Sequence, residues 1–211
     1  MWALVDDSNK ITNVYGEFPS RITINNRNYD KAELNAMSDS EKLAIKIYPV
    51  TAGTELNNKY YISNNPTYAV DGNKVVETIT KAADKKLDDE DAKDKDGNQL
   101  LNEDGSKTIN YGLKTVAKEK ATTDADGFLK GFGWLIQRKV TADTAIPSDV
   151  LTYMAAIRTD HKAICDAIDG ASDLDAFIAL HTDTFKGDGT VDVVARVNRW
   201  TTDANVKSYR R

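Results

Sequence analysis

The chain has one cysteine, Cys165, in 211 residues. It therefore has no internal disulfide and no cysteine-based zinc site. No run of about 18 apolar residues occurs, so no membrane span is expected. The opening MWALVDDSNK lacks a basic region followed by an apolar core, so no secretory signal is expected either. Positive charge is outweighed: 28 Lys and Arg stand against 33 Asp and Glu, a net charge of −5. A dedicated nucleic-acid binder needs a basic face to neutralise phosphates, so that class is excluded. The chain holds no Gly-x-Gly-x-x-Gly, no P-loop and no Gly-x-Ser-x-Gly turn. Cys165 falls inside a helix near its apolar seam. The chain is accordingly read as non-enzymatic, with no cofactor.

Hydrophobic residues make up 40% and charged residues 29%, an ordinary globular balance. The predicted fold class is α+β, with a small, mainly antiparallel β domain over residues 1–80 and an acidic linker over 81–110. A mainly α domain, a helical hairpin with a terminal strand, takes 111–211. In the first part, residues 2–15 read as a hairpin around Asp7-Ser8-Asn9. Ile22 and Ile24 alternate with polar residues ahead of an Asn-rich turn. Ser38 with Glu41 forms a capping-box pattern before a short helix. Residues 46–50 read as a strand, with Pro49 marking an edge or a strand end. Asp71-Gly72-Asn73 signals a hairpin turn before Val75-Val76. Residues 81–107 then hold nine acidic residues and six lysines. Residues 81–93 suggest a solvated helix, and 94–107 a loop or polar hairpin anchored by Leu100-Leu101.

The most regular stretch is WLIQRKVTADTAIPSDVLTYMAAIRTDHKAICDAIDG, residues 134–170. Its lead-in, 132–140, reads as extended, because Gly131 and Gly133 break a helix and Trp134, Ile136 and Arg138 alternate with their neighbours. A helix follows, with Ser148 as its predicted N-cap. Its seam is Val150, Met154, Ile157, position 161, Ile164 and Ile168, spaced 4, 3, 4, 3, 4 as a helix requires. Gly170 is the predicted C′ glycine. Ser172 and Asp175 open a second helix, antiparallel to the first. Residues 191–202 read as a final strand, with Val193, Ala195 and Val197 on one face.

Three constellations invite a chemical reading. His161 lies nine residues before Gly170 and His181 eleven after, a similar height in an antiparallel hairpin. With Cys165 or Asp183 they are the candidate metal or pH-sensing pair, although two ligands are too few for a metal site. Asp94, Asp96, Gly97 and Glu103 match four positions of a calcium loop. Its first ligand would be Ala92, which cannot ligate, so a hydrated turn is expected. Tyr15, Tyr29, Tyr60, Tyr61 and Tyr68 are a candidate aromatic platform for a carbohydrate or receptor. Arg138, Lys139, Arg158, Arg196, Arg199, Arg210 and Arg211 concentrate positive charge in the C-terminal half, a polarity suited to steering assembly.

The run Trp134, Arg138, Ile146-Pro147, Val150, Tyr153, Ile157-Arg158 resembles the C-terminal signature of bacteriophage tail-fibre assembly and tail assembly chaperone proteins. Those carry an Asp-Trp, an Arg a few residues later, a Pro before a helix, and a Tyr-Arg-x-x-Leu-Arg run within it. Here Gly133 stands in place of the Asp, and Met154 in place of the first Arg of the helical run. The opening MWALV…ITNVYG…FPSRITI…Y is similar to small phage proteins encoded near tail-fibre genes. The resemblance implies a tail protein made in the host cytoplasm, either a permanent virion component or an assembly chaperone that leaves before the virion is mature. Its partners would be other tail or tail-fibre proteins in an oligomeric assembly. It also implies a partner-binding role for Trp134, Arg138, Tyr153 and Arg158, and carries no catalytic residue.

Overall fold

A computed structural model describes residues 1–210, and Arg211 lies outside them. The fold is α+β, with the sheet in the N-terminal part and the long helices in the C-terminal part. The chain divides into two compact units, Met1–Asp84 and a second beginning at Lys85.

The N-terminal unit runs β1 (Trp2–Val5), β2 (Ile11–Tyr15), β3 (Arg21–Ile24), β4 (Arg27–Asp30), α1 (Lys31–Ala36) and α2 (Asp39–Ala44). It continues with β5 (Ile47–Thr51), β6 (Tyr61–Ser63), β7 (Thr67–Asp71), β8 (Lys74–Thr78) and β9 (Lys81–Asp84). Five strands form one sheet in the order β2-β1-β5-β8-β7. The two-residue period of a strand splits β1 between its faces. Ala3 and Val5 join Tyr48 and Val75 on one side. Trp2 and Leu4 pack on the other against Phe18, Ile22, Ile24, Tyr29, Leu34 and Ile47, most of them supplied by the β3–β4 hairpin and α1. Asn25 and Asn26 take positive φ (50° and 63°), the conformation a two-residue hairpin loop demands and asparagine tolerates. The capping box at Ser38 forms as its sequence requires.

Pro49 lies inside the sheet and not at its edge. Strand β5 is antiparallel to β1 over residues 47–49 and parallel to β8 only at Val50 and Thr51. The two neighbours are staggered, so the proline falls where only one side of the strand is paired, and its missing N–H leaves no gap in the ladder. Lys42 is buried. Its Nζ donates to the Met37 carbonyl and lies 4.8 Å from the Trp2 ring centroid, so a hydrogen bond and a cation–π contact replace lost water.

The second unit begins with residues that cap a helix instead of forming one. Residues 81–93, read as a solvated helix, instead contain β9 and β10 (Glu90–Asp91). The Lys86 and Leu87 carbonyls accept the N–H groups of Leu113 and Lys114. The Asp89 carboxylate accepts the Gly112 N–H at 2.7 Å. These bonds satisfy the orphan donors of α3 (Leu113–Lys130), and carbonyls used this way are lost to a helix of their own. Between β10 and β11 (Ile109–Asn110), two tight turns stand in tandem, with Gly97 and Gly105 at φ +88° and +80°. Asp94 and Asp104 accept N–H groups within them, as short side chains in turns do.

Residues 132–140 form a helix where an extended segment is predicted. Gly131 caps α3 and Gly133 starts α4 (Gly133–Ala142), so both glycines sit at helix ends, where their freedom does no harm. The pairing that matters is Trp134 with Arg138, four apart on one helix face. Helix α5 (Ser148–Asp169) buries Val150, Tyr153, Met154, Ile157, Ile164 and Ile168, the predicted seam with Tyr153 added and with His161 only half-buried. Its N-cap is Pro147 and Ser148 is its first residue. Gly170 stays right-handed at φ −74°, because its N–H still bonds to the Asp166 carbonyl. Asp173, not Ser172, caps α6 (Leu174–Leu180), accepting the Ala176 N–H at 2.8 Å. Helix α5 packs chiefly on α3, not on the shorter α6. The predicted final strand shrinks to β13 (Val191–Val193), paired with β12 (Thr184–Phe185). That partner is two residues long, and beyond it Ala195 is tied to Asp183 and residues 196–198 turn into a 3₁₀ helix.

Candidate functional site

The C-terminal unit is built around Ala125, Phe132, Leu135, Val150, Tyr153, Met154, Ile157 and Val206. Val206 belongs to the final segment, residues 199–210, which lies over α3, α4 and α5 as a strap. The Trp134 Nε1–H donates to the Tyr209 carbonyl at 2.9 Å. Asp160 accepts both the N–H and the hydroxyl of Thr201 at 2.7 Å. Arg210 pairs with Asp203 at 3.0 Å and donates to the Phe128 carbonyl. The Trp200 ring lies 5.2 Å from that of Phe128. No periodicity marks this segment. Its aromatic residues, Trp200 and Tyr209, are the only sequence signal that it packs.

Two of the four signature residues touch. The Arg138 guanidinium sits 5.1 Å over the Trp134 ring, and its Nε is buried with no hydrogen-bond partner among the described residues. Tyr153 lies across the same core, its ring 5.6 Å from Phe132, with a buried hydroxyl that likewise has no partner among the described residues. Burial pushes the Tyr153 phenol above its ordinary value. Arg158 stands apart and exposed, its one described hydrogen bond a 3.5 Å donation to the Met154 carbonyl of its own helix.

The two histidines find separate surroundings. His161 Nε2 lies 3.0 Å from the Thr122 hydroxyl on α3 and 3.5 Å from Cys165 Sγ. Burial raises the Cys165 thiol, which keeps it protonated and a poor nucleophile. His181 donates from Nδ1 to the Phe177 carbonyl, and its ring lies tilted by 40° against the Phe177 ring at 4.5 Å. Among the described residues no three His, Cys, Asp or Glu side chains gather where a metal ion could be held. Of the tyrosines proposed as a platform, Tyr29 and Tyr60 are buried, and the Tyr68 hydroxyl is committed to Glu77 at 2.8 Å.

Exposed apolar side chains are unevenly shared. The second unit shows Val116, Ile136, Val140, Leu151, Phe185 and Val191, with Val140 80% exposed. Ile136 and Val140 are four apart on α4, so they make one outward stripe. Phe185 and Val191 stand opposite each other on the β12–β13 hairpin. No family model, curated protein or solved structure matches the chain.

Proposed function

We propose that this chain is a non-enzymatic component of a bacteriophage tail that works by contact with other tail or tail-fibre proteins. The observation that carries the reading is the α4 surface. The signature pair Trp134 and Arg138 stacks on one side of α4, and the outward stripe of Ile136 and Val140 lies about 200° round the same helix. Exposed apolar stripes are typical of protein interfaces, and aromatic and arginine residues supply much of the affinity there. The resemblance to tail-fibre assembly proteins names the kind of partner. A permanent place in the virion is the favoured version, and a transient assembly factor is the other.

The test is mass spectrometry of purified particles together with deletion of the coding sequence. The chain is expected in the particle, and its deletion is expected to leave tails incomplete. Particles that lack the chain make it a transient factor. Particles of normal tail morphology and infectivity after deletion overturn the tail reading.

A further inference from the structure

Trp134, Gln137, Arg138 and Thr141 share one side of α4, because residues three and four apart on a helix are neighbours. Together they line an open hollow of about 460 Å³. An arginine carries five N–H donors and no acceptor. Arg138 is half-buried, yet it has neither an ion pair nor a hydrogen bond among the described residues. Helical spacing pairs Lys120 with Asp124, Lys139 with Asp143 and Lys162 with Asp166. Four residues before and after Arg138 stand Trp134 and Ala142, so its own helix offers it no carboxylate.

The guanidinium is held in advance. It sits 5.1 Å over the Trp134 ring, and Trp134 is anchored in turn by its bond to the Tyr209 carbonyl. Nε is sealed, which leaves Nη1 and Nη2 as the donors that Arg138 can offer to the hollow it lines. Two parallel N–H donors match the two oxygens of a carboxylate. The Thr141 hydroxyl donates to the Gln137 carbonyl, so its oxygen is left to accept. The exposed Gln137 amide can both donate and accept. An acidic residue in an extended backbone presents a carboxylate, a carbonyl and an N–H, which suit Arg138, Gln137 and Thr141 in turn. One cation in the hollow balances one negative charge, whereas a phosphate group carries about 1.5 to 2 at pH 7. A chain of net charge −5 also repels a strong polyanion.

We propose that this side of α4 docks an acidic segment of a partner protein, with one Asp or Glu carboxylate held by Nη1 and Nη2 of Arg138. That the partner is a tail or tail-fibre protein rests on the reading above. That it presents a carboxylate rests on Arg138 and the hollow alone.

The experiment is a ¹⁵N–¹H NMR titration of the full chain with an end-blocked tetraglutamate peptide, its tetraglutamine counterpart, and inorganic phosphate. Tetraglutamate is expected to give saturable shifts of the Trp134 indole N–H and of the amides of residues 134–141, and tetraglutamine none. Arg138→Lys keeps the charge and removes the fork, and is expected to weaken binding about tenfold. Gln137→Ala, at an exposed position, is expected to weaken it about threefold with no change in melting temperature. Lys139→Gln removes a charge outside the hollow and is expected to bind as the parent does. The proposal is overturned if tetraglutamate does not saturate, if the shifts fall elsewhere, or if tetraglutamine or phosphate binds as well. It is equally overturned if neither Arg138→Lys nor Gln137→Ala weakens binding, or if Lys139→Gln weakens it as much as Arg138→Lys. A peptide that fails while the chain is found in particles strikes the carboxylate site and leaves the tail reading. A peptide that binds while deletion leaves tails normal strikes the tail reading alone.

Discussion

Individual residues in this chain are constrained less by their type than by the backbone near them, and glycine shows it best. Gly112 opens α3 where the chain doubles back on residues 86–89. A Cβ there would collide with the Leu87 carbonyl and stand 2.6 Å from that of Asp88. Gly127, inside the same helix, has open space around it and a right-handed conformation. The two should respond oppositely to one methyl group. Gly112→Ala is expected to destabilise by about 2 kcal/mol or more, since backbone and not a flexible side chain must give way. Gly127→Ala is expected to stabilise by about 0.5–1 kcal/mol through the lower entropy of its unfolded chain. Urea denaturation of both variants checks the pair. Equal effects would mean that residues 86–89 do not hold the start of α3.

At the scale of elements, strongly periodic or self-capping stretches were legible in the sequence, and those decided by a distant partner were not. The α5 seam, the Ser38 capping box and the turns at Asn25-Asn26 and Gly72-Asn73 depend on residues within a few positions. The α4 helix was missed because glycines at its start look the same in sequence as glycines that break a helix. Residues 81–93 were missed because their carbonyls serve α3, some 25 residues later. The strap is the extreme case: it has no pattern of its own, and its place follows from Trp134, 75 residues from Tyr209. Of the candidate site, the Trp134–Arg138 contact was within reach of the sequence once α4 is a helix. The unpartnered Tyr153 hydroxyl was not, because satisfaction is a property of surroundings. The strap also gives an element-scale prediction. Trp134→Phe keeps the aromatic packing and removes the bond to the Tyr209 carbonyl. Stability should fall by about 1 kcal/mol. Hydrogen exchange should quicken over residues 200–209 and stay unchanged in the C-terminal half of α5. Uniform quickening across the unit would show that the strap does not open separately.

For the whole molecule, the acidic excess is handled locally and leaves a definite pH signature. Asp94 is held below its ordinary value of 3.8 first by the Asn98 N–H, and Asp104 by the Ser106 hydroxyl. The Ala176 N–H holds Asp173 low, and the Thr190 hydroxyl holds Asp188 low. Glu41 is depressed below 4.5 by the Ser38 hydroxyl. A carboxylate with a depressed folded value contributes stability that is present above its unfolded value and is lost as pH falls through the folded one. Lys118 and Lys162 are raised above 10.5 by hydrogen bonds to Asp169 and Asp166, so their contribution is complete below 10.5 and is lost as pH rises through the folded values. The melting temperature should therefore be level across the middle of the range and fall on the acid side only below about pH 5. These groups lie at the surface, so the acid loss is spread over several turns and no one of them sets it. Asp173→Asn isolates one member, because asparagine caps a helix about as well as aspartate but carries no charge. It should melt close to the parent at pH 7 and lose less than the parent between pH 4 and pH 2. A parent that already loses stability above pH 5 would show that groups other than these carboxylates govern the acid limb.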